Sequence, residues 1–425
     1  MKYLIIGNSA AGVNAIEAIR RLDQQNNITV ISEENYQIYG RPLISYYLSG
    51  KIKYKNMFSY KEKDFYTKKK ANLLLNTKVN SINTKIKKIY TNDNLSLEYD
   101  KLLLATGSLP FIPCIKGLKQ HIDNKKDSNV FTFLTFEDSL RLKNKIKKTS
   151  KVVVLGAGLI GLKVVEGLSG QVDNITVIDL SDRIMASVLN EIEANMVKSH
   201  IEKCGDNVFF KLKTGISEVR NDTLLLSNNT VIDYDILIVS VGVKPNVELA
   251  KNAGLKIGKG IIVNNYLQTS NKDVYAAGDC IEYEDLFSNN KKLYALWTNA
   301  TRQGELAGYN MSGIKMKYSR YFAINAISFF GMNLLSAGIT TGKDIHNYII
   351  ESSINTFHMI SILNNKLVGF VLINCPNKRA GIYTTLINDG IDISTLDYDI
   401  TTMKNIKFSI YPKKNRTKKM WQGAA

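Results

Sequence analysis

The chain twice repeats one order of elements: a short apolar strand, a turn of glycine and small residues, and an apolar helix. In the first copy we predict a strand over residues 2–6, the turn over residues 7–12 and a helix over residues 13–22. A second apolar strand follows at residues 28–32. Short apolar runs separated by a helix with 3.6-residue periodicity are typical of the βαβ unit of a parallel sheet.

The second copy begins far along the chain and keeps the same order. We predict a strand over residues 151–155, the turn over residues 156–161, a helix opening over residues 162–168 and a further strand over residues 175–178. Because each βαβ unit forms the start of its own parallel sheet, the duplication predicts two separate α/β domains.

The two turns carry the residue types that hold a pyrophosphate. The first glycine makes the turn, the second lets the backbone approach the phosphates and the third lets the helix pack on the strand, while the helix N-terminus offers free N–H groups. Ser9 replaces the second glycine of the first copy and is small enough for the same approach. We predict dinucleotide contacts from Gly7, Ser9, Ala10, Ala11 and Gly12, and from Gly156, Gly158, Leu159, Ile160 and Gly161.

An acidic residue follows the second strand of each copy, where a carboxylate can accept hydrogen bonds from ribose hydroxyls. In the first copy it is Glu33, with Glu34 as the alternative. In the second copy it is Asp179. A carboxylate at Asp179 would repel a 2′-phosphate, so we predict NADH rather than NADPH as the ligand of that copy.

The composition restricts the classes of protein and of binding partner that remain. The net charge is +18 and 44% of the residues are hydrophobic, which indicates a packed globular protein with a basic surface. No nucleic-acid-binding motif accompanies the lysine runs, so we expect solvated faces or an acidic protein partner, and no nucleic acid.

We expect no membrane span, because the longest apolar stretch, residues 323–339, is interrupted by Asn325 and Asn333. The four cysteines lie far apart in the sequence and lack the spacing of metal ligands. The first apolar run leads directly into the first glycine turn. We therefore expect no metal site, no signal peptide and a cytoplasmic location.

The rest of the chain has a different pattern. We predict a connecting helix near residues 135–147. After residue 315 an α+β region is expected, with strands over residues 318–339 and over residues 356–373, the second being a hairpin that turns near residues 364–365. A helix is predicted over residues 377–388.

Six further stretches carry a family resemblance. They are residues 39–43 (YGRPL), 102–108 (LLLATGS), 239–246 (VSVGVKPN), 274–279 (VYAAGD), 294–300 (YALWTNA) and 329–339 (FFGMNLLSAGI). With the two turns, they resemble the pyridine nucleotide-disulfide oxidoreductase superfamily of flavoproteins, most of all NADH:rubredoxin reductases and the flavin module of NADH nitrite reductases. The likeness extends to about residue 412.

The resemblance implies an α/β fold with two Rossmann-like dinucleotide-binding domains and a C-terminal α+β interface domain. The first turn would hold FAD, and the second NADH. The implied boundaries are residues 1–115 with 245–315 for the FAD domain, 116–244 for the inserted NAD domain, 316–412 for the interface domain and 413–425 for a basic tail.

The resemblance also implies site residues. Arg41 and Pro42 would run beneath the flavin ring, and Trp297 would lie near it. The resemblance implies further cofactor contacts in the second FAD motif and in the two stretches where the chain crosses between the dinucleotide-binding domains. The residues are Ala105, Thr106, Gly107, Gly242, Gly278 and Asp279. The alternatives are an ordinary turn residue for Asp279, a core side chain for Trp297 and a solvated surface charge for Arg41.

Departures from the family pattern bear on the mechanism. Thiol-active relatives carry a redox cysteine where Pro42 stands, and no cysteine precedes Cys114. Because a thiolate relay needs a sulfur beside the flavin, we predict that none operates here, and we interpret Cys280 as a small buried neighbour. Many relatives have Glu where this chain has Lys163. We assign Lys163 a catalytic role with Trp297 and Pro42, the alternative being a lysine that points to solvent.

The resemblance implies hydride transfer from NADH to FAD, followed by release of electrons to an external acceptor. We expect a small acidic iron–sulfur protein, rubredoxin or ferredoxin, because the surface is basic. The alternatives are an NADH oxidase, or a flavin subunit of a multi-protein redox complex such as a nitrite reductase. The interface domain and the lysine-rich tail would provide contacts for a homodimer or for such a complex.

Overall fold

The computed structural model describes residues 1–124, 128–288, 291–318, 322–375, 379–396 and 399–401. The chain divides into two compact units. The first contains Met1–Ile178 and Thr214–Arg320, and the second contains Asp179–Lys213 and Tyr321–Ala425. The basic tail predicted at residues 413–425 lies outside the described residues.

The elements follow in chain order. The strands are β1 (Lys2–Ile6), β2 (Asn27–Ile31), β3 (Ala71–Leu74), β4 (Val79–Asn83), β5 (Lys88–Thr91), β6 (Ser96–Glu98), β7 (Lys101–Leu104), β8 (Ser108–Pro110), β9 (Val130–Thr132), β10 (Lys151–Leu155), β11 (Asn174–Ile178), β12 (Val208–Lys211), β13 (Ile216–Val219), β14 (Thr223–Leu226), β15 (Val231–Asp233), β16 (Ile236–Val239), β17 (Val243–Pro245), β18 (Ile261–Ile262), β19 (Val274–Ala276), β20 (Ile281–Glu284), β21 (Lys291–Lys292), β22 (Ile324–Phe329), β23 (Met332–Gly338), β24 (His346–Ser352), β25 (Phe357–Leu363) and β26 (Lys366–Ile373). The helices are α1 (Ala10–Leu22), α2 (Ile44–Leu48), α3 (Phe65–Lys68), α4 (Leu118–Asp123), α5 (Phe136–Lys145), α6 (Leu159–Leu168), α7 (Glu191–Cys204), α8 (Glu248–Asn252), α9 (Trp297–Met311) and α10 (Ala380–Asp389).

The first unit contains two parallel sheets. In one sheet the strand order is β19-β7-β1-β2-β3, and β1 pairs with β2 so that Ile6 lies opposite Ile31. In the other, β10 pairs in parallel with β11 on one side and with β16 on the other, and β9 continues the sheet beyond β16. Strands buried on both faces, such as Val152 to Val154, explain the continuous apolar runs in the sequence. The predicted α/β class with Rossmann-like domains is confirmed.

Both helices that follow the glycine turns begin earlier than predicted. α1 begins at Ala10 instead of residue 13, and α6 begins at Leu159 instead of residue 162. The prediction was wrong because the last three residues of each turn are already helical. The three residues therefore form the first helical turn.

The second unit contains an antiparallel sheet with the strand order β22-β23-β26-β25-β24. The predicted hairpin is confirmed, since β25 and β26 are joined at Asn364 and Asn365, both with positive φ angles (49° and 56°). The strand predicted over residues 318–339 is instead a second hairpin, β22–β23, that turns at Phe330 and Gly331. Helix α10 ends at Asp389 and is capped by Gly390, and residues 377 and 378 of the predicted helix lie outside the described residues.

Helix α9 packs very closely on α1. A Cβ at Gly304 would lie 2.1 Å from the carbonyl oxygen of Ala11, and one at Gly308 would lie 2.6 Å from that of Ala15. The missing side chains therefore let the two backbones touch. This contact places the middle and the C-terminal part of α9 against the first half of α1.

Thr135 and Asp138 form a reciprocal capping box at the start of α5. Among the described residues, the structure contains no helix with the length and hydropathy of a membrane span.

Candidate functional site

The first glycine turn is closed by backbone contacts that leave no room for side chains. The N–H of Gly7 donates to the carbonyl of Ile31 (2.9 Å), and a Cβ at Gly12 would lie 2.0 Å from the carbonyl oxygen of Gly7. The first helical hydrogen bond of α1 runs from Val13 N to Ser9 O (3.0 Å). The N–H groups of residues 10–12 precede that bond, so the helix itself does not use them. They are the groups expected to hold an anion.

The two candidate ribose-binding acids point in different directions. Glu33 is exposed and lies 3.5 Å from the Lys78 ammonium. Glu34 accepts a hydrogen bond from the Tyr39 hydroxyl (2.7 Å) and forms an ion pair with Arg41. The structure thus brings Glu34, and not Glu33, into contact with other predicted site residues.

Arg41 connects that acid to the first turn. Its Nε donates to Ser9 Oγ (3.3 Å) and its Nη1 donates to the carbonyl of Leu134 (3.3 Å), while Nη2 donates to Glu34. The side chain is 30% exposed, so the alternative of a solvated surface charge is wrong. A guanidinium beside the turn supplies positive charge where a pyrophosphate is expected. Pro42 follows in a short 3-10 turn, Arg41–Leu43.

The Ala-Thr-Gly segment, residues 105–107, joins β7 of the first parallel sheet to β8. The N–H of Ala105 donates to Ile6 O (2.8 Å), and its own carbonyl lies where a side chain at Gly7 would sit. Thr106 Oγ1 donates to the carbonyl of Asn246 (2.7 Å). The carbonyl of Gly242 accepts from the N–H of Phe111 (2.9 Å) as β8 and β17 pair.

Asp279 lies just after β19. Its Oδ2 accepts from the Ser108 hydroxyl (3.0 Å). Burial raises the pKa of this carboxyl despite the opposing effects of Ser108 and Arg41. The next residue, Cys280, is fully buried, and burial raises the pKa of its thiol to about 11. Cys280 therefore stays a thiol at neutral pH, which confirms its interpretation as a small buried neighbour.

Trp297 begins helix α9 and is half-buried. Its ring meets the Tyr60 ring edge to face, with the centroids 5.0 Å apart and the planes at 84°. Tyr60 belongs to the segment of residues 51–63, which we name the lysine loop because it carries Lys51, Lys53, Lys55, Lys61 and Lys63.

The second turn repeats the geometry of the first. Gly156 N donates to Ile178 O (2.8 Å), and a Cβ at Gly161 would lie 2.0 Å from Gly156 O. No atom lies within 4 Å of where a Cβ at Gly158 would sit, so open space faces the second glycine. Asp179 directly follows β11, and its Oδ1 accepts from the N–H of Ser181 (2.7 Å).

Lys163 does not point to solvent, so that alternative is wrong. Its side chain is only 13% exposed, forms an ion pair with Glu166 and places its ammonium 4.5 Å from the centroid of the Tyr46 ring. Burial alone would raise the pKa of Glu166, but the hydrogen bonds and charges of Lys163 and Lys51 lower it overall. Sequence reasoning missed Glu166 and Tyr46. The three-residue spacing of Lys163 and Glu166 on one helix was the available signal for the first.

The residues present fit two dinucleotides. In both turns, the first and third glycines sit where a side chain would strike backbone, and the helix starts with unused N–H groups. FAD would be held by the first turn with Arg41 and Asp279, and NADH by the second turn. Sequence reasoning also missed Asn299, a buried residue whose side-chain amide has no hydrogen-bond partner within the described ranges of the chain.

Comparison with known proteins gives consistent matches. The model of the family described as pyridine nucleotide-disulphide oxidoreductase matches residues 1–304. An NADH oxidase of Methanocaldococcus jannaschii is 34% identical over 75% of this chain and 71% of its own length. The NADH-dependent phenylglyoxylate dehydrogenase subunit epsilon of Aromatoleum evansii is 31% identical over 93% of each chain. A rubredoxin-NAD(+) reductase of Pseudomonas putida is 27% identical over 90% of this chain and 98% of its own. A solved NAD-dependent persulfide reductase from A. fulgidus superimposes with a TM-score of 0.85, at 26% identity, over 94% of this chain and 79% of that one.

Proposed function

The chain belongs to the pyridine nucleotide-disulphide oxidoreductase family and is a flavin-dependent NADH oxidoreductase, and on that premise we propose that its electron acceptor is a small acidic iron–sulfur protein, a rubredoxin or a ferredoxin. FAD and NADH are the cofactors. When bound, FAD supplies the redox chemistry, taking a hydride from NADH and releasing electrons singly. The chain's own residues bind, orient and supply charge.

The observation that carries the proposal is the unbalanced charge of the lysine loop. Lys53, Lys55 and Lys63 are exposed, and none of them has an ion-pair partner among the residues that the structure describes. The same loop carries Tyr60, whose ring contacts Trp297. Positive charge is thus concentrated on a segment that touches a residue assigned to the flavin. The name of the Pseudomonas putida relative supports the same class of acceptor.

We further propose that electrons pass without a protein thiol. No cysteine precedes Cys114, and the buried thiol of Cys280 has a raised pKa. A thiolate is the form that attacks a disulfide, so neither feature favours a sulfur relay. The three-domain division given above remains part of the proposal. The four unpaired cysteines suit a reducing compartment, and we propose a cytoplasmic location.

The proposal is tested by anaerobic reduction with NADH and then oxidation by rubredoxin, ferredoxin, nitrite or oxygen. We expect the iron–sulfur proteins to react fastest, with a second-order rate constant that falls as salt screens the attraction. Changing Lys53, Lys55 and Lys63 together to Glu should lower that rate constant at least about tenfold at low salt.

The matched control changes three exposed lysines elsewhere in the first unit to Glu: Lys85, Lys251 and Lys272. The net charge changes equally, so a comparable loss in both variants would show that global charge, and not the lysine loop, governs the reaction. Reduction of the enzyme by NADH should keep its rate in both. A preference of the reduced wild type for oxygen or nitrite would refute the acceptor class.

A second candidate is a flavin subunit of a larger redox complex. The relative from Aromatoleum evansii is named as a subunit and matches this chain over 93% of both lengths. In that case the purified chain would reduce free iron–sulfur proteins slowly and would elute with a partner in size-exclusion chromatography of a native extract. An NADH oxidase, the name of the Methanocaldococcus jannaschii relative, would instead consume oxygen at the rate of NADH oxidation.

A further inference from the structure

Helix α2 is held in place by side chains of the predicted NAD domain. It directly follows residues 41–43, which include the two residues implied to lie beneath the flavin ring. From α5, the hydroxyl of Ser139 donates to the carbonyl of Ile44 (3.0 Å), and the ammonium of Lys143 donates to that of Tyr47 (2.9 Å). A helix leaves its last four carbonyls without a helical partner, so in this five-residue helix donors from outside help to fix its position.

Gln171 joins α2 directly to α6. Its Nε2 donates to the carbonyl of Leu48 (2.7 Å), the last residue of α2, and to the carbonyl of Gly167 (2.6 Å), which lies within α6. A side-chain amide has two N–H donors, so both bonds form at once. Gly167 also faces α2, because a Cβ there would lie 3.2 Å from the carbonyl oxygen of Ser45 and 3.2 Å from Cδ2 of Leu48. The two helices are therefore tied by one amide at a spacing that a single methyl group would increase.

This contact connects the two elements that are expected to carry the cofactors. Helix α6 begins in the second glycine turn, where NADH is expected. Gly167 follows Gly161, the last residue of that turn, by six positions, which is about 9 Å along the helix axis. Helices α2 and α6 belong to the same compact unit. A shift of α6 relative to α2 would therefore move one dinucleotide site relative to the other.

We propose that Gln171 and Gly167 are positioning residues for hydride transfer, because they set the spacing between the NADH site and the flavin site. In that step a hydride, which carries two electrons, leaves NADH as NAD+ and reduces the oxidised flavin. Reacting atoms must lie about 3–3.5 Å apart, and a misplacement of 1 Å can cost about 100-fold in rate. The inference rests on the proposed assignment of FAD to the first turn and NADH to the second. It does not depend on the electron acceptor, which takes no part in the reduction of the flavin.

The test separates spacing from stability with two matched variants. Gln171→Met keeps the length of the side chain and removes both donors. Asn310→Leu is the control, because the Asn310 amide also donates to two carbonyls, those of Tyr266 (2.9 Å) and Met316 (3.0 Å), but belongs to α9. Four quantities are measured for each variant: the thermal midpoint of the apoprotein, the dissociation constants of FAD and NAD+, the long-wavelength absorbance of reduced flavin stacked on NAD+, and the stopped-flow rate of reduction at saturating NADH.

The two variants should differ in the stacking absorbance and in the rate of reduction. Gln171→Met should weaken the absorbance and slow reduction about tenfold, the cost of a displacement of about 0.5 Å, while both dissociation constants stay within about threefold of the wild type. Asn310→Leu should lower the apoprotein midpoint at least as much, because it too leaves carbonyls unpaired, but should keep the absorbance and the rate. Gln171→Lys, whose ammonium is a donor on a stem one bond longer, should recover most of the rate.

A second pair of variants changes the spacing without removing a hydrogen bond. The Cβ of Gly167→Ala would lie 0.2 Å inside ordinary contact, which begins at 3.4 Å, so reduction should slow about 2- to 3-fold. The helix should not be weakened, because alanine is favoured over glycine inside a helix by about 1 kcal/mol. Gly170→Ala, whose Cβ meets no atom within 4 Å, should keep the wild-type rate.

The inference is overturned if Gln171→Met and Gly167→Ala are reduced at the wild-type rate, or if excess NADH restores the rate of Gln171→Met, since the loss would then be one of affinity. An equal slowing in Asn310→Leu would also reject it, because general destabilisation would explain both variants. A wild-type protein that binds FAD but is not reduced by NADH is a different failure, since it removes the function itself.

Discussion

Replacing Gly161 by alanine should damage the fold and the NADH site together. The new Cβ would lie 2.0 Å from Gly156 O and 2.8 Å from Ser240 Oγ. The serine hydroxyl can rotate away, whereas the carbonyl belongs to the backbone of the turn. Ordinary contact begins at 3.4 Å, so α6 and the turn must separate by 3.4 − 2.0 = 1.4 Å.

Two opposing effects decide the magnitude. Alanine is favoured over glycine inside a helix by about 1 kcal/mol. Forcing an extra methyl group into a closely packed contact costs about 1–3 kcal/mol, and a fixed backbone atom places this case at the upper end. The net loss is about 1–2 kcal/mol, which for a domain of this size corresponds to a fall in Tm of about 2–8 °C.

The same displacement moves the N-terminal N–H groups of α6 away from the pyrophosphate. NADH affinity, measured by equilibrium titration of the FAD-loaded enzyme, should fall about tenfold or more. Gly158→Ala is the informative control, because its Cβ meets no protein atom within 4 Å. It should leave Tm unchanged but weaken NADH binding by filling the space left for the phosphates. Gly170→Ala, also without neighbours, should change neither quantity. Wild-type Tm and NADH affinity in Gly161→Ala would refute the steric argument.

Two more predictions concern buried charges. Burial and the charge of Arg379 outweigh the charge of Glu351 and lower the pKa of His358 from 6.5 to about 4. As the pH falls, the unfolded chain therefore binds a proton at His358 before the folded chain does. The free energy of unfolding of the second unit should be highest above pH 6.5 and fall by about 3 kcal/mol as the pH drops to 4. Urea denaturation across that range should show this slope, and His358→Phe should flatten it; an equal slope in the variant contradicts the assignment. Lys163→Met should destabilise the first unit by about 3 kcal/mol by removing a cation from the buried Glu166, and Glu166→Gln in the same chain should restore most of it. Stopped-flow reduction by NADH should be slower in the single variant, and an unchanged rate would assign Lys163 to the fold alone.

The sequence predicted the elements whose pattern is local. β1 and β10 have the predicted bounds, because each is an apolar run that ends at a glycine turn. β24 was missed: nearly all of its residues are exposed, so no alternation of apolar and polar side chains marks it. An edge strand of this kind is defined by its pairing with β25, which the sequence does not display.

The site was predictable to the level of motifs and less so to the level of side chains. The glycine turns could be located because backbone sterics allow few residues there. The choice between Glu33 and Glu34 depended on the direction of adjacent side chains, and that direction is set by Arg41 and Tyr39. The close packing of α9 on α1 at Gly304 and Gly308 could not be predicted, because the two helices lie almost 300 positions apart in the sequence.

The strand order of the first sheet has a consequence for synthesis on the ribosome. β7 pairs with β1 on one side and with β19 on the other, although residues 105–273 must be translated before β19 exists. At 5–20 residues per second this interval lasts roughly 10 to 30 seconds. Throughout it the nascent polypeptide exposes a bare, apolar strand edge, which can recruit another unfinished chain. A message truncated before codon 274 should therefore yield aggregates, and chaperone occupancy should persist until that codon has been passed.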